Sequence, residues 1–436
     1  MSLQIRLNCI PEQLATMVIY FRESATTELK LGKPVNRVDN FSPRVLILNQ
    51  MAGPLTWELA EDIGATLGMA ALLTGHPDTL AKGDQAQLRL FRAAPYKRGS
   101  YPVRILAWLH YMVEAFFWLW RWPRSTPLLL FSNPPCLPWL GLAMRALRGQ
   151  HYSVMVHDIY PDVLTRLAGV PEQHPIVHLW RWLNRLAYER AEVVMTLGEH
   201  MAATLAKQFN PARTLAGAIK VIYPWADTEA IRPIPKAENP FAQQYGQVDK
   251  LTVMYSGNMG LGHDIETMLA AAVQLQSIPD IHFMFIGAGP KWQVVADTIR
   301  EQKLSNVTLL PWQPEHMLPY TLATADIALV SLEPEMASLA IPSKAFSSLA
   351  AGTPIMVICS EKSELTDIVM RTNCGWLVSE NSAEKICNIL ISMSKRNDIL
   401  DKIKINSRNA SEKLGSRNNS MIIVNILKYL MVSYYL

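Results

Sequence analysis

The stretch KLTVMYSGNMGLGHD, residues 250–264, decides the fold class of this chain. Its first half is apolar enough for a buried strand, its middle is rich in glycine, and a helix is expected to begin near Asp264. A strand that enters a helix through a glycine turn is the repeating unit of parallel α/β sheets. The segment therefore predicts a Rossmann-like domain.

The same pattern recurs on both sides of this stretch. Short apolar runs end in turns and lead into helical segments, which predicts two doubly wound α/β halves facing a cleft, with ligands at the carboxyl ends of the strands. Further strands are predicted at 281–290, 306–312, 326–332 and 353–359 in the second half, and at 44–50, 69–75, 127–135, 151–162, 192–201 and 218–227 in the first.

A connector that contains Pro233, Pro235 and Pro240 separates the two halves. The predicted organisation is an N-terminal extension of unknown role at 1–42, a Rossmann-like domain at 43–227, a linker at 228–249, a second Rossmann-like domain at 250–400 and C-terminal helices at 401–436.

Composition excludes several classes of protein. Half of the residues are apolar, which excludes a disordered chain, and the net charge of +4 is too small to indicate nucleic-acid binding. The five cysteines include no C-x2-C pair, so neither a zinc site nor a disulfide framework is indicated. We expect a cytoplasmic protein, without a signal peptide or a run of about 18 apolar residues that would span a membrane.

The segment Val103–Trp122 is strongly aromatic and carries four tryptophans. His110 and Glu114 interrupt it, and Arg104 and Arg121 lie near its ends. This composition suits a helix lying in the headgroup layer of a membrane. A helix packed on the first sheet would have the same composition, so the sequence leaves both interpretations open.

Three turns could hold an anion. The glycines of 256–262 and of 287–290 would let backbone N–H groups approach a phosphate, although a turn that needs glycine only for its geometry would look the same. Lys344 is predicted in the first turn of a helix, where the helix dipole disfavours a cation. An anionic ligand there would offset that cost, and a solvated surface lysine is the alternative.

Together these segments resemble the retaining glycosyltransferases of family 4, which have the GT-B fold, and most closely the bacterial enzymes of exopolysaccharide, O-antigen and colanic-acid synthesis. The resemblance covers roughly residues 44–400. It is carried by YSGNMG (255–260), FIGAGP (285–290), IPSKAFSSLAAGTPI (341–355), VHDIYPD (156–162), LGEHM (197–201) and YPWAD (223–227).

The resemblance implies that the second domain binds a nucleotide-diphosphate sugar. Lys344, after Ser343, would neutralise the departing diphosphate, the point at which negative charge develops. The diphosphate would be lined by Gly257, Asn258 and Gly260, with His263 where relatives often have a lysine, and the base or ribose would pass beside Gly287, Gly289 and Pro290.

The first domain would then bind the acceptor. His157 matches a position that relatives place near the sugar, although a structural histidine is the alternative. Asp158 and Asp162 would hold the acceptor or cap a helix. No D-x-D motif occurs, and the resemblance implies no metal and no cofactor.

One departure from the family concerns a pair of glutamates eight positions apart. The aligned residues are Leu339 and Ser347, so both carboxylates are missing, and Glu333 and Glu335 are candidate replacements for the contact with the ribose.

The resulting hypothesis is a retaining, hexosyltransferase-type enzyme of surface polysaccharide synthesis. It would move a sugar from a nucleotide-diphosphate donor to a saccharide acceptor linked to polyprenyl diphosphate, at the cytoplasmic face of the membrane, with 103–122 as a peripheral contact. The alternatives are a nucleotide-sugar 2-epimerase and a catalytically silent scaffold.

Overall fold

The computed structural model describes residues 42–97, 99–209, 219–260, 262–379 and 382–433. The predicted N-terminal extension falls on residues 1–41, outside this range. Within it, residues from Pro43 onward pack as one unit that contains two parallel sheets.

The first sheet has seven described strands in the order β3-β2-β1-β4-β5-β6-β7, all parallel. Its central strands are continuous apolar runs because helices cover both faces of the sheet. The strands are β1 (Val45–Leu48), β2 (Ala70–Thr74), β3 (Leu88–Arg92), β4 (Leu128–Phe131), β5 (Tyr152–Val156), β6 (Val194–Thr196) and β7 (Ile219–Val221).

The helices of this half connect successive strands. Several begin with proline just inside the first turn, where its missing N–H is not needed. They are α1 (Pro54–Leu67), α2 (Pro77–Ala81), α3 (Tyr101–Trp120), α4 (Leu137–Arg148), α5 (Asp162–Leu167), α6 (Pro175–Glu189) and α7 (Glu199–Ala206).

The second sheet has six described parallel strands in the order β10-β9-β8-β11-β12-β13. The aromatic residues Tyr255, Phe283 and Phe285 are fully buried in its core. The strands are β8 (Leu251–Asn258), β9 (Ile281–Ala288), β10 (Val307–Leu310), β11 (Ile327–Ser331), β12 (Ile355–Ile358) and β13 (Gly375–Val378).

Its helices are arranged in the same way. The Asp264 side chain caps α9 by accepting a hydrogen bond from the Thr267 backbone, as the sequence predicted for the start of this helix. The helices are α8 (Pro240–Gln244), α9 (Ile265–Gln274), α10 (Trp292–Gln302), α11 (Leu318–Thr324), α12 (Lys344–Ala350), α13 (Glu364–Thr372), α14 (Ala383–Met393), α15 (Asn397–Leu414) and α16 (Asn418–Ser433).

The last helix returns to the first half. The Arg417 guanidinium, just before α16, donates to the Asp62 carboxylate on α1 at 2.9 Å and 3.1 Å, and the Ser420 hydroxyl donates to the same group. The Ala226 N–H also donates to the Gly415 carbonyl oxygen. The chain therefore crosses between the halves twice.

The predicted fold class, two doubly wound Rossmann-like halves, is confirmed. Two strands escaped prediction: β3, where leucine and arginine alternate, and the short β13, which begins at Gly375. Both are edge strands, and an edge lacks the continuous apolar pattern of a buried parallel strand.

The aromatic segment 103–122 lies almost entirely within α3. One face of this helix packs on the domain through residues such as Tyr111, Trp118 and Leu119, while Leu109 and Phe117 on the other face are exposed. The interpretation of this segment as a helix packed on the first sheet is thus correct for one face of α3 only. In the described part of the chain, every helix is too short or too polar to cross a bilayer.

Candidate active site

Two glycine-rich turns pack closely against each other where β8 and β9 end. Gly257, Gly287 and Gly289 have φ of +142°, +141° and +148°, which residues with side chains rarely adopt. A Cβ on Gly287 would lie 2.0 Å from the Gly257 carbonyl oxygen, and one on Gly289 would lie 2.6 Å from that of Met259. These glycines are therefore required for the close packing of the backbone at the carboxyl edge of the sheet.

Lys344 is the first residue of α12 and points its amine at this edge. The Nζ atom is buried, has no hydrogen-bond partner in the described part of the chain and lies 3.7 Å from the centre of the Tyr255 ring. A Cβ on Gly257 would lie 3.2 Å from Nζ. Burial lowers the pKa of Lys344 to about 7. Lys344 is thus not the solvated surface lysine that the sequence left open, but a lysine with a buried amine that has no hydrogen-bond acceptor in the described structure.

The other predicted donor residues share this edge. Asn258 ends β8 and is exposed, and its Nδ2 would lie 2.8 Å from a Cβ on Gly260. Pro290 is exposed in the turn after β9, and Ser343 is exposed just before Lys344. The structure brings the turns after β8 and β9 and the start of α12 together.

His263 anchors the first loop instead of presenting a charge. Its Nδ1 lies 2.7 Å from the Ser331 carbonyl oxygen, and burial, with a further effect of the Lys344 charge, lowers the pKa of His263 to about 4. Lys291 was not predicted as a site residue from the sequence. Its Nζ donates to the His263 carbonyl oxygen at 2.7 Å and to Glu266 at 2.8 Å. Its place directly after the second glycine turn was the available signal.

A cavity of about 220 Å³ lies between the two halves, with walls from both. The His157 and Asp158 side chains enter it from the end of β5, opposite Ser343 and Ile341 of the second half. The other lining residues are Leu55, Thr56, Leu59, Phe131, Met155, Leu197, Pro224, Trp225 and Ile423.

His157 and Asp158 both line the cavity, and the backbone of His157 is fixed by a hydrogen bond. The Ser132 hydroxyl accepts from the His157 N–H at 2.9 Å, and the imidazole packs edge-on against Phe131. Burial lowers the pKa of His157 to about 4 and raises the pKa of Asp158 to about 6. In the described part of the chain no group donates a hydrogen bond to the Asp158 carboxylate, so it is available to a ligand.

Asp162 lies apart from these two residues. Its carboxylate accepts from Arg181 at 2.6 Å and from Gln208 at 2.9 Å at the start of α5. The structure therefore brings Asp158, but not Asp162, to the cavity. Both partners of Asp162 are distant in sequence, which is why the pattern could not separate the two aspartates.

Several contacts hold the halves together around the cavity. The Ile159 N–H donates to the Leu339 carbonyl oxygen at 3.2 Å, which ties the loop bearing Asp158 to the segment before Lys344. On the other side, the buried Glu364 carboxylate accepts from the Tyr223 hydroxyl at 2.5 Å and from the His200 N–H at 3.1 Å.

At the two positions of the missing glutamates, Leu339 is fully buried and Ser347 lies half-buried on α12. The Arg166 guanidinium donates to the Glu335 backbone carbonyl oxygen at 2.9 Å, and burial raises the pKa of Glu333 despite nearby Lys291.

Residues 238–410 match the family model described as Glycosyl transferases group 1. Two curated relatives are the probable glycosyltransferase WbjE of Pseudomonas aeruginosa, 29% identical over 61% of this chain and 66% of its own length, and the putative colanic acid biosynthesis glycosyl transferase WcaI of Escherichia coli K12, 24% identical over 65% and 70%. The match to WbjE thus spans slightly less than two thirds of that relative.

Solved structures of the same architecture cover nearly the whole chain. Sucrose-phosphate synthase of Thermosynechococcus elongatus aligns with a TM-score of 0.70 at 17% identity, covering 89% of this chain and 99% of its own. HepE of Anabaena, solved with UDP-glucose, aligns with a TM-score of 0.67 at 16% identity over 88% and 99%.

These similarities agree with the geometry, in which two Rossmann-like halves enclose a cavity, and the Lys344 amine and the glycine turns lie at the strand ends of the second half. Residues 238–410 match the Glycosyl transferases group 1 family, and the chain has the architecture of the GT-B fold.

Proposed function

We propose that the enzyme is a retaining glycosyltransferase that takes a sugar from a nucleotide-diphosphate donor and adds it to a lipid-linked saccharide in surface polysaccharide synthesis. One observation carries the proposal: the buried Lys344 amine, without an acceptor in the described structure, lies beside Gly257, and Lys344 directly follows Ser343, which lines the cavity. A diphosphate supplies the charge that this amine lacks.

The donor binds with its diphosphate over Gly257, between the β8 turn and α12. The backbone N–H groups of the glycine turn and the Lys344 ammonium stabilise the negative charge that grows as the bond between the anomeric carbon and the diphosphate oxygen breaks. HepE, which shares the fold, was solved with UDP-glucose, and this supports a nucleotide sugar as the donor class. No metal is needed for this charge stabilisation.

The acceptor enters the cavity in front of His157 and Asp158. The Asp158 carboxylate accepts a hydrogen bond from the attacking hydroxyl and orients it, while neutral His157 contacts the transferred sugar. In a retaining reaction the acceptor oxygen bonds to the anomeric carbon on the face that the diphosphate leaves, and its proton passes to the departing diphosphate oxygen. The products are the extended saccharide and a nucleoside diphosphate.

The membrane contact follows from the exposed face of α3. Leu109, Val113, Phe117 and Trp120 are each more than half exposed along one side of this helix. Arg148 fixes the end of the helix by donating to the carbonyl oxygens of its last turn. An apolar, aromatic helix face suits insertion at the level of lipid headgroups, where a polyprenyl-linked acceptor presents its sugar.

The test is the release of nucleoside diphosphate from UDP, GDP, ADP and dTDP sugars, with and without lipid-linked saccharides extracted from membranes. Release that depends on the acceptor, with an α-configured product from an α-configured donor, is expected. Release without any acceptor-derived product, together with a changed configuration of the donor sugar, would instead indicate the epimerase. If none of the donors is consumed or shifts the melting temperature, the protein is a scaffold.

A further inference from the structure

The α6 helix exposes three large apolar side chains on one face. Ile176, Leu179 and Trp182 are 61%, 55% and 53% exposed along one face. They recur at the three-residue spacing that places side chains on one side of a helix.

Two polar residues of α6 face the protein, together with the buried apolar residues of the helix. Arg181 pairs with Asp162 at 2.6 Å. The buried Asn184 amide donates to the Tyr160 carbonyl oxygen and accepts from the Trp139 indole N–H, both at 2.7 Å. These contacts fix the rotation of α6 about its axis and leave its apolar face without a partner in the described structure.

Aromatic contacts connect α6 to α3. The Trp108 ring of α3 lies 6.3 Å from the Tyr160 ring, which stacks on Trp180 of α6 at 6.1 Å. Tyr160 follows Asp158 by two residues, so the link between the helices runs directly behind the acceptor loop. Both helices are therefore connected to the loop that bears Asp158 and Tyr160.

The charges of the two helices select the occupant. The exposed charged residues of 101–124 are Arg121 and Arg124, and those of 175–190 are Arg185 and Arg190, with no exposed acidic residue among the described residues of either segment. Apolar and aromatic residues bordered by arginine match the interface of an anionic bilayer, where acyl chains take up the apolar groups and the headgroups attract the cations.

We infer that the Ile176–Leu179–Trp182 face of α6 is a second lipid-binding surface, which acts together with α3 to seat the first half on an anionic membrane. This inference rests on the membrane contact in the proposed function and extends it from one helix to two. With two helices in contact, the domain cannot roll about α3, so the acceptor loop between them keeps a fixed height above the lipid.

The experiment is co-sedimentation of the full chain with phosphatidylcholine vesicles and with vesicles of equal parts phosphatidylcholine and phosphatidylglycerol. The α6 variant is Ile176→Ser, Leu179→Ser and Trp182→Ser together, and the α3 variant is Phe117→Ser and Trp120→Ser. The matched control replaces exposed apolar residues of the second half, Val294, Met370 and Ile405, by serine. Melting temperatures confirm that each variant is folded.

The wild type and the control are expected to bind the anionic vesicles. The α6 variant should bind at least about tenfold more weakly, because it lacks three apolar side chains that insert into the bilayer. Unchanged binding of the α6 variant with loss for the α3 variant would overturn this inference and leave the α3 contact standing. No binding by the wild type would overturn both. Light scattering that shows a wild-type dimer and a monomeric α6 variant would assign the face to self-association and overturn the lipid assignment.

Discussion

The protonation state of the Lys344 amine depends both on its burial and on the charge of a ligand beside it. Desolvation holds the pKa of its amine at about 7, because the ammonium has lost its water without gaining an acceptor in the described structure. A diphosphate placed beside it favours the protonated form and raises that pKa again. Under the proposed function, donor binding at alkaline pH is therefore coupled to proton uptake.

This coupling can be measured by calorimetry in buffers of different ionisation enthalpy. At about pH 8 we expect nearly one proton taken up for each nucleoside diphosphate bound, and little uptake at about pH 6, where Lys344 is already charged. Lys344→Met should abolish the uptake and lower turnover by about 10²–10³, the usual effect of one preorganised charge. Equal uptake at both pH values would contradict the role given to Lys344.

The same amine affects stability, and the sign follows from its two pKa values. The folded pKa of Lys344 is about 7 and the unfolded value is 10.5, so between these values the unfolded chain binds more protons. The free energy of unfolding should therefore rise with pH across this window. Lys344→Met removes the term, so its stability gain over the wild type in urea unfolding should be largest below pH 7 and shrink toward pH 10. A gain independent of pH would show that the amine is not desolvated.

Asp158 gives a second titration. Burial raises the pKa of its carboxyl to about 6, and the neutral acid no longer accepts a hydrogen bond in the same way. We expect transfer to fall as pH drops through about 6, and Asp158→Asn to lower kcat/KM for the acceptor while donor affinity stays the same. Asp162→Asn is the comparison, because its carboxylate serves Arg181 and should affect stability rather than acceptor kinetics. A weaker donor affinity in Asp158→Asn would place this residue elsewhere.

The turn after β8 depends on Gly257. An alanine there has an unfavourable φ of +142° and brings its Cβ to 3.1 Å from Lys344 Cε. We expect Gly257→Ala to destabilise the protein by about 1–3 kcal/mol and to weaken donor binding by displacing the amine. Gly99→Ala is the control, since its Cβ would make ordinary contact with Val103. Donor affinity that is equal in the two variants, measured by titration calorimetry, would contradict the arrangement.

Strands could be predicted well because a buried parallel strand needs a continuous apolar run, as in Val45–Leu48 and Leu128–Phe131. The orientation of α6 could not be predicted from the sequence. Its sequence shows an apolar side, but which side packs depends on Asp162 and Tyr160, which Arg181 and Asn184 reach only after folding. For the same reason Lys344 and the glycine turns were found as motifs, whereas Lys291 and the free carboxylate of Asp158 required the structure.

Closure of the two halves relies on Glu364. This buried carboxylate receives hydrogen bonds from Tyr223 and His200 of the opposite half. Glu364→Ala removes the acceptor and leaves those donors unpaired, at a cost of about 1–3 kcal/mol. We expect a larger radius of gyration by small-angle scattering in the presence of nucleoside diphosphate, and a raised KM for both substrates. The control Glu361→Ala, at an exposed position, should behave as the wild type. A radius of gyration that is unchanged in Glu364→Ala would contradict the role of Glu364 in holding the halves together.

The return of α16 to α1 has a consequence for how the protein is made. Ile423 of α16 forms part of the wall of the cavity between the halves, and Val424 and Leu427 on the same helix are buried. These residues are translated only after the whole second sheet. On the ribosome, the cavity therefore stays incomplete until the second half has emerged, and the nascent first half exposes the apolar surface that α16 later covers. Expressing 43–227 alone would preserve that unfinished intermediate rather than yield an isolated first domain.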